Sequence, residues 1–204
     1  ISEARSFRLR LLDASAIHNV GMCYARLGSY DRGIRAQQDA ACIADECGGA
    51  RLAINARVYE AQMLTWRNGP GDLERASQIA QYVVGAAQTH LGLQTHAMFI
   101  LACVQLGRGQ VNAALEAARE AHRRLSDGPV EEWEEMIRLC FVEALIASGD
   151  QQGADDALRA AFESLRARVA AITEPDHRRS FTTRNHAVAQ LLQLAEQRLG
   201  LSLS

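Results

Sequence analysis

A chain of 204 residues with 22 basic and 24 acidic side chains and a formal net charge of −2 has no global field to draw in a polyanion, so nucleic acid is not an expected partner. Hydrophobic residues make up 48%, aromatics only 5%, and there are 3 prolines, a mixture rich in good helix formers that argues against strands. No apolar run approaches the roughly 18 residues of a membrane span, so a membrane is not an expected partner either.

In chain order, Phe7, Leu9, Leu11, Leu12, Ile17 and Val20 recur near helical spacing, and the run continues through Met22, Tyr24 and Leu27. This predicts either one long first helix or two helices broken near 13–15. Gly28 and Ser29 stop it. A partner helix over 31–46 carries Ile34, Ala41, Ile43 and Ala44, and Gly48 with Gly49 ends it.

A second pair is predicted over 51–66 and 73–90, separated by Asn68, Gly69, Pro70, Gly71 and Asp72, with Asp72 placed to cap the next helix. The third pair covers 93–106 and 111–125. Ser126, Asp127, Gly128 and Pro129 then reset the chain, and Glu131, Glu132, Glu134 and Glu135 open a fourth pair, where a solvated helix start suits acidic groups. That pair turns at Ser148, Gly149 and Asp150. A last helix over 174–199 follows Thr173, Glu174, Pro175 and Asp176, which read as a capping box with proline in the first turn, and Gly200 ends it.

The turns align. Gly28, Gly71, Gly109 and Gly149 are each followed two residues on by Tyr30, Leu73, Val111 and Gln151, and five residues on by Gly33, Ala76, Ala114 and Ala154. Gly21, Leu64, Ala102 and Val142 lie seven residues before those glycines; Ala40, Val83, Ala121 and Ala161 lie seven after the small residues. Small side chains at such intervals allow helices to approach closely, as stacked helix pairs require.

This pattern resembles the tetratricopeptide repeat, most closely over 16–40, where Gly21, Tyr24, Gly28, Tyr30, Gly33 and Ala40 stand near its signature. Turn glycines 43, 38 and 40 residues apart exceed the repeat's usual period of about 34 and keep a HEAT-like repeat as an alternative. The resemblance implies an all-α fold, a right-handed superhelical solenoid of about four antiparallel helix pairs plus a C-terminal capping helix. It implies a single domain over 1–204, with units at about 14–48, 51–90, 93–126 and 130–172 and the cap at 174–199. The closing segment, with Arg178, Arg179, Ser180, Phe181 and Asn185, also resembles the helical-repeat regions that end large bacterial signalling ATPases and kinase-associated regulators. A chain that starts at Ile1 without a signal-like segment is expected to be a piece or processed form of such a longer protein.

Chemistry-bearing motifs are absent from the sequence. Cys42 and Cys47 stand five apart rather than at a ligand spacing, and the odd set Cys23, Cys42, Cys47, Cys103 and Cys140 falls in predicted helices, so buried free thiols in a cytoplasmic protein are expected, with no metal and no cofactor. No nucleophile or phosphate-loop signature occurs and no enzyme is expected. All basic residues are Arg, and Arg178, Arg179 and Arg184 oppose the dipole of the last helix, as a contact with an acidic partner or another domain would explain.

The family resemblance places a binding groove on the first helix of each pair: His18, Asn19 and Met22, then Asn55, Tyr59, Gln62 and Trp66, then His96, Phe99 and Cys103, then Leu139 and Glu143. Amides, aromatics and few charges suit an extended peptide or a partner helix. Some of these side chains are expected to pack between neighbouring repeats. A non-catalytic protein-binding module is the leading expectation, and a structural module that forms homo-oligomers is the alternative.

Overall fold

The computed structural model describes residues 2–126 and 133–203. These are helical throughout, with no strand among them: α1 Ser2–Arg26, α2 Tyr30–Glu46, α3 Ala50–Arg67, α4 Asp72–Ala86, α5 Leu91–Gly107, α6 Val111–Arg123, a 3-10 turn Arg124–Ser126, α7 Glu134–Ser148, α8 Gln151–Ala171, α9 Pro175–Arg184 and α10 His186–Leu199. Gly128, Pro129, Glu131 and Glu132 lie outside the described residues. The chain divides into two compact units, Ile1–Arg108 and Gly109–Ser204.

The repeat alignment holds residue by residue. The four aligned turn glycines all have positive φ, from 69° at Gly109 to 83° at Gly149, a backbone that a Cβ would strain. The aligned small residues Ala76, Ala114 and Ala154 are each 0% exposed, Gly33 is buried, and so are the positions seven before and seven after.

In the first unit, consecutive helices pack on one another through turns of three or four residues, and α3 also touches α1 and α5. Covered on several sides, α3 buries Ala53, Ala56, Val58, Ala61, Met63 and Leu64 around its whole circumference and loses the polar stripe of a surface helix. The first helix is continuous through Asp13 to Ser15. Ala14 is 0% exposed and packs with Ala44 and Ala53, with Leu11 and Leu52 beside them, and that packing overrides the turn preference of Asp and Ser.

In the second unit, α7 and α8 pair, and α10 lies against both. Leu158, Ala161, Phe162 and Leu165 of α8 meet Ala187, Val188, Leu191 and Ala195 of α10. Each large side chain removed from water there contributes about 1.5–3 kcal/mol, so α10 closes the apolar face that the last pair would otherwise leave open.

Several local expectations are corrected. The closing segment is two helices: Asn185 leaves helical geometry at φ −83°, ψ 108°, and its side chain accepts from the Val188 N–H at 3.4 Å. The first of these, α9, has Glu174 at its start and Pro175 in its first turn, so Thr173 is not the cap. Asp72 is the first residue of α4 rather than its cap; its carboxylate accepts from Gly69 N–H at 2.8 Å and from Arg67. Only Cys140 among the thiols is buried; Cys23 and Cys42 are exposed and Cys47 and Cys103 partly so. Glu135 is buried and paired to Arg168 rather than solvated.

Candidate interaction surface

The close approach of α1 and α2 sets the geometry of the first unit. A Cβ added at Gly21 would lie 2.6 Å from Gln37 Nε2 and 3.2 Å from the Gly33 carbonyl; one at Gly33 would lie 2.8 Å from Met63 Sδ and 3.1 Å from the Gly21 carbonyl. The two glycines therefore face each other with nothing between them, and Gln37 of α2 reaches across to His18 of α1.

His18, 7% exposed, is held on three sides. Its Nδ1 lies 2.6 Å from Gln37 Oε1, Gln37 Nε2 donates to the His18 carbonyl at 3.0 Å, and Nε2 meets Asn55 Nδ2 of α3 at 3.3 Å. An amide oxygen can only accept and an amide NH₂ can only donate, so the ring carries its proton on Nδ1 and accepts at Nε2. The ring stands edge-on to Tyr59, centroids 4.8 Å apart, and Tyr59 stands edge-on to His96 of α5 at 5.3 Å. His96 stacks over Phe99 at 6.2 Å and its Nε2 donates to Gln62 Oε1 at 3.1 Å. Burial alone pushes the His96 pKa down to about 3, because a charged imidazole would lose its hydration there.

A ladder of hydrogen-bonded and edge-to-face rings thus crosses the three first helices. Five residues expected in the groove, His18, Tyr59, Gln62, His96 and Phe99, are buried in it. Met22, Asn55, Trp66 and Cys103 are half-buried at its margin, and Asn19 is exposed. On α3, Asn55 and Trp66 fall on one face with Tyr59 and Gln62, by the 3.6-residue period. Glu143 and Leu139 belong to the second unit, Leu139 buried and Glu143 exposed.

Two features escaped the sequence reading. Gln37 is 0% exposed and anchors His18; its only signal is its place four residues after the contact glycine Gly33. The second is an arginine cluster at the first turn. An open cavity of about 420 Å³ is lined by Gly28, Ser29, Tyr30, Asp31, Arg32, Arg35 and Arg67. Arg67 is clamped by both Asp72 oxygens, at 2.8 and 2.6 Å, and by Asp31 at 2.6 Å; these bonds, Asp72's first, raise its pKa. Arg32 lies over the Tyr24 ring at 5.7 Å.

In the second unit the basic run is partly internal. Arg178 donates through Nε and Nη2 to the Ile172 carbonyl, at 3.2 and 2.7 Å, and so caps the end of α8. Arg168 bridges Glu135 and lies over the Phe181 ring at 5.3 Å. Arg179 and Arg184 are exposed. Among the described residues, no group of three or more His, Cys, Asp or Glu side chains is set to hold a metal ion, and no helix is long and apolar enough to cross a membrane.

Two solved structures of a kinesin light chain candidate from Podosopora anserina, with nearly identical TPR-like repeats, superpose on this chain. The parent protein gives a TM-score of 0.56 and a variant of it 0.57; each is 16% identical, and the match covers 91% of this chain and 88% of that one. The chain has a tetratricopeptide-like helical repeat fold. At that identity the likeness is one of fold. No protein-family model and no curated protein matches the sequence.

Proposed function

We propose that this tetratricopeptide-like chain is a non-catalytic module that binds a peptide or a helix of a partner protein along the first helices of its first unit. The observation that carries this reading is the division of labour on α1, α3 and α5. The ladder from His18 to His96 is buried and held by its own hydrogen bonds and ring contacts, while Met22, Asn55, Trp66 and Cys103 stay part-exposed beside it. A pre-ordered strip with an aromatic anchor, a soft thioether and an amide is what an extended segment or a helix needs for a low-entropy contact. The test is a display selection of random peptides against the full chain, with binders re-measured on Trp66→Ala. The reading expects the variant to lose about tenfold or more in affinity; peptides that bind the variant equally well contradict it.

A second reading, self-association, is favoured by one observation. Leu9, Leu12 and Val20 of α1 and Leu27 just beyond its end are 49–79% exposed and, with Ala16 and Cys23, recur every three or four residues on the side opposite Ala14, His18 and Ala25. Such a seam can pair with its copy. Light scattering over a dilution series decides it: a monomer at every concentration removes this reading.

We also propose that the module regulates or recruits a partner within a larger bacterial signalling protein in the cytoplasm. The resemblance of the closing segment supports this setting.

A further inference from the structure

We propose that the arginine-lined cavity at the first turn binds a phosphorylated side chain of the partner segment, an inference that rests on the peptide-binding reading above and specifies its ligand. Three guanidinium groups line the cavity and one carboxylate, Asp31, faces them. That carboxylate is already bonded to Arg67, which Asp72 also holds from outside the cavity. Arg32 and Arg35 have no carboxylate within ion-pair distance among the described residues, and both are exposed. Arg32 and Arg35 are therefore two guanidinium groups open to an added anion, and together they offer donors enough for the three oxygens of a phosphate monoester, whereas the two oxygens of an Asp or Glu side chain would occupy only one of them. Guanidinium forks also bond phosphate oxygens in pairs.

The walls suit a peptide's phosphate rather than a small free anion. The cavity of about 420 Å³ is open to solvent, and Gly28 in its lining has open space in front of it. Tyr30 lines it and at the same time lies 6.3 Å from the Trp66 ring, so the cavity is continuous with the strip proposed for the peptide. A segment anchored on Trp66 can place a phosphorylated residue between Arg32 and Arg35 without crossing a gap.

The experiment uses the full chain and two immobilised peptide libraries of random sequence around a central residue, one phosphoserine and one serine, with inorganic phosphate as competitor. The expected result is that the phosphoserine library binds about tenfold more tightly, as one or two charge-assisted hydrogen bonds give. The double variant Arg32→Ala with Arg35→Ala should drop to the serine-library level while Arg159→Ala, an exposed arginine of α8, does not. Inorganic phosphate should compete only at far higher concentration than the phosphopeptides. Thermal melting of the double variant should stay close to the parent's, since both arginines are exposed, neither holds an ion pair, and the Arg32 contact with the Tyr24 ring lies at the surface. Equal binding of the two libraries, or a phosphate preference that survives the double variant, overturns the phosphate site; if Trp66→Ala still weakens both libraries, the peptide-binding reading stands without it. Competition by inorganic phosphate as effective as by peptide assigns the cavity to a free anion and also overturns the proposal. Binding by neither library removes both.

Discussion

Gln37 and His18 exchange two hydrogen bonds across the α1–α2 contact, ring Nδ1 to side-chain oxygen at 2.6 Å and side-chain NH₂ to backbone carbonyl at 3.0 Å. The pair exists because Gly21 and Gly33 leave room for it, and it fixes the ring against which Tyr59 packs. Gln37→Ala leaves a buried imidazole N–H without its partner and removes the second bond to the His18 carbonyl, which keeps its bond within α1. A loss of about 2 kcal/mol is expected, read as a lower urea midpoint for the full chain; an unchanged midpoint contradicts the assignment.

Glycine-to-alanine substitutions should differ in sign between two helices. At Gly21 the new methyl group meets Gln37 and the Gly33 carbonyl, so Gly21→Ala should cost about 1–3 kcal/mol despite the better helix propensity of alanine. At Gly85 in α4 nothing lies within 4 Å of the added carbon, and Gly85→Ala should gain about 0.5–1 kcal/mol. Denaturant titration of the two variants checks both signs at once.

Acid should weaken the fold through His96. Its folded-state pKa is about 3, below the ordinary 6.5, because burial penalises the charged ring. The unfolded chain binds the proton first, so this contribution is complete above about pH 6.5 and is lost as the pH falls toward 3, at about 1.4 kcal/mol per pH unit. His122, stacked on Phe141 at 4.5 Å, is also lowered, by burial and then by Arg138, and acts in the same direction. His96→Phe should be weaker at neutral pH, for want of the Gln62 bond, yet show a shallower decline between pH 6 and 4. Parallel declines in the two proteins contradict this account.

The closing helix should be indispensable to the second unit. Leu191 is 1% exposed and packs among Leu158, Phe162 and Leu165, so Leu191→Ala is expected to cost about 2–5 kcal/mol. A chain truncated before His186 should bind a hydrophobic dye and aggregate. A soluble truncation with unaltered melting would show that the face on α8 needs no cover.

Much of the fold was legible because a helical repeat writes its turns and contacts at recurring positions. Gly28, Gly71, Gly109 and Gly149 mark turns that require a left-handed backbone, and Ala40, Val83, Ala121 and Ala161 mark helix contacts that admit nothing larger without displacement. The break at Asn185 was not legible, since its neighbours on both sides carry helical spacing and only one cap separates them. The candidate site was less legible than the fold. Periodicity places His18, Tyr59 and His96 on inward faces of first helices, but it cannot say whether an inward face meets a ligand or the next repeat. Their burial depends on how closely the helices approach, and at His18 that is decided by Gly21 and Gly33, whose facing backbones let Gln37 reach the ring. The cavity arginines come from α2 and from the end of α3, so no local spacing joins them.

Hydroxyl-radical footprinting of the full chain, alone and bound to a selected peptide, tests the central claim most directly, because the strip is built from strongly oxidisable side chains. The account predicts that the peptide slows oxidation at Met22, Trp66 and Cys103 and leaves Cys23, on the opposite face of α1, unchanged. Protection at Cys23 and Leu27 with none at Met22 and Trp66 would contradict it and move the interface to the outer seam of the first helix.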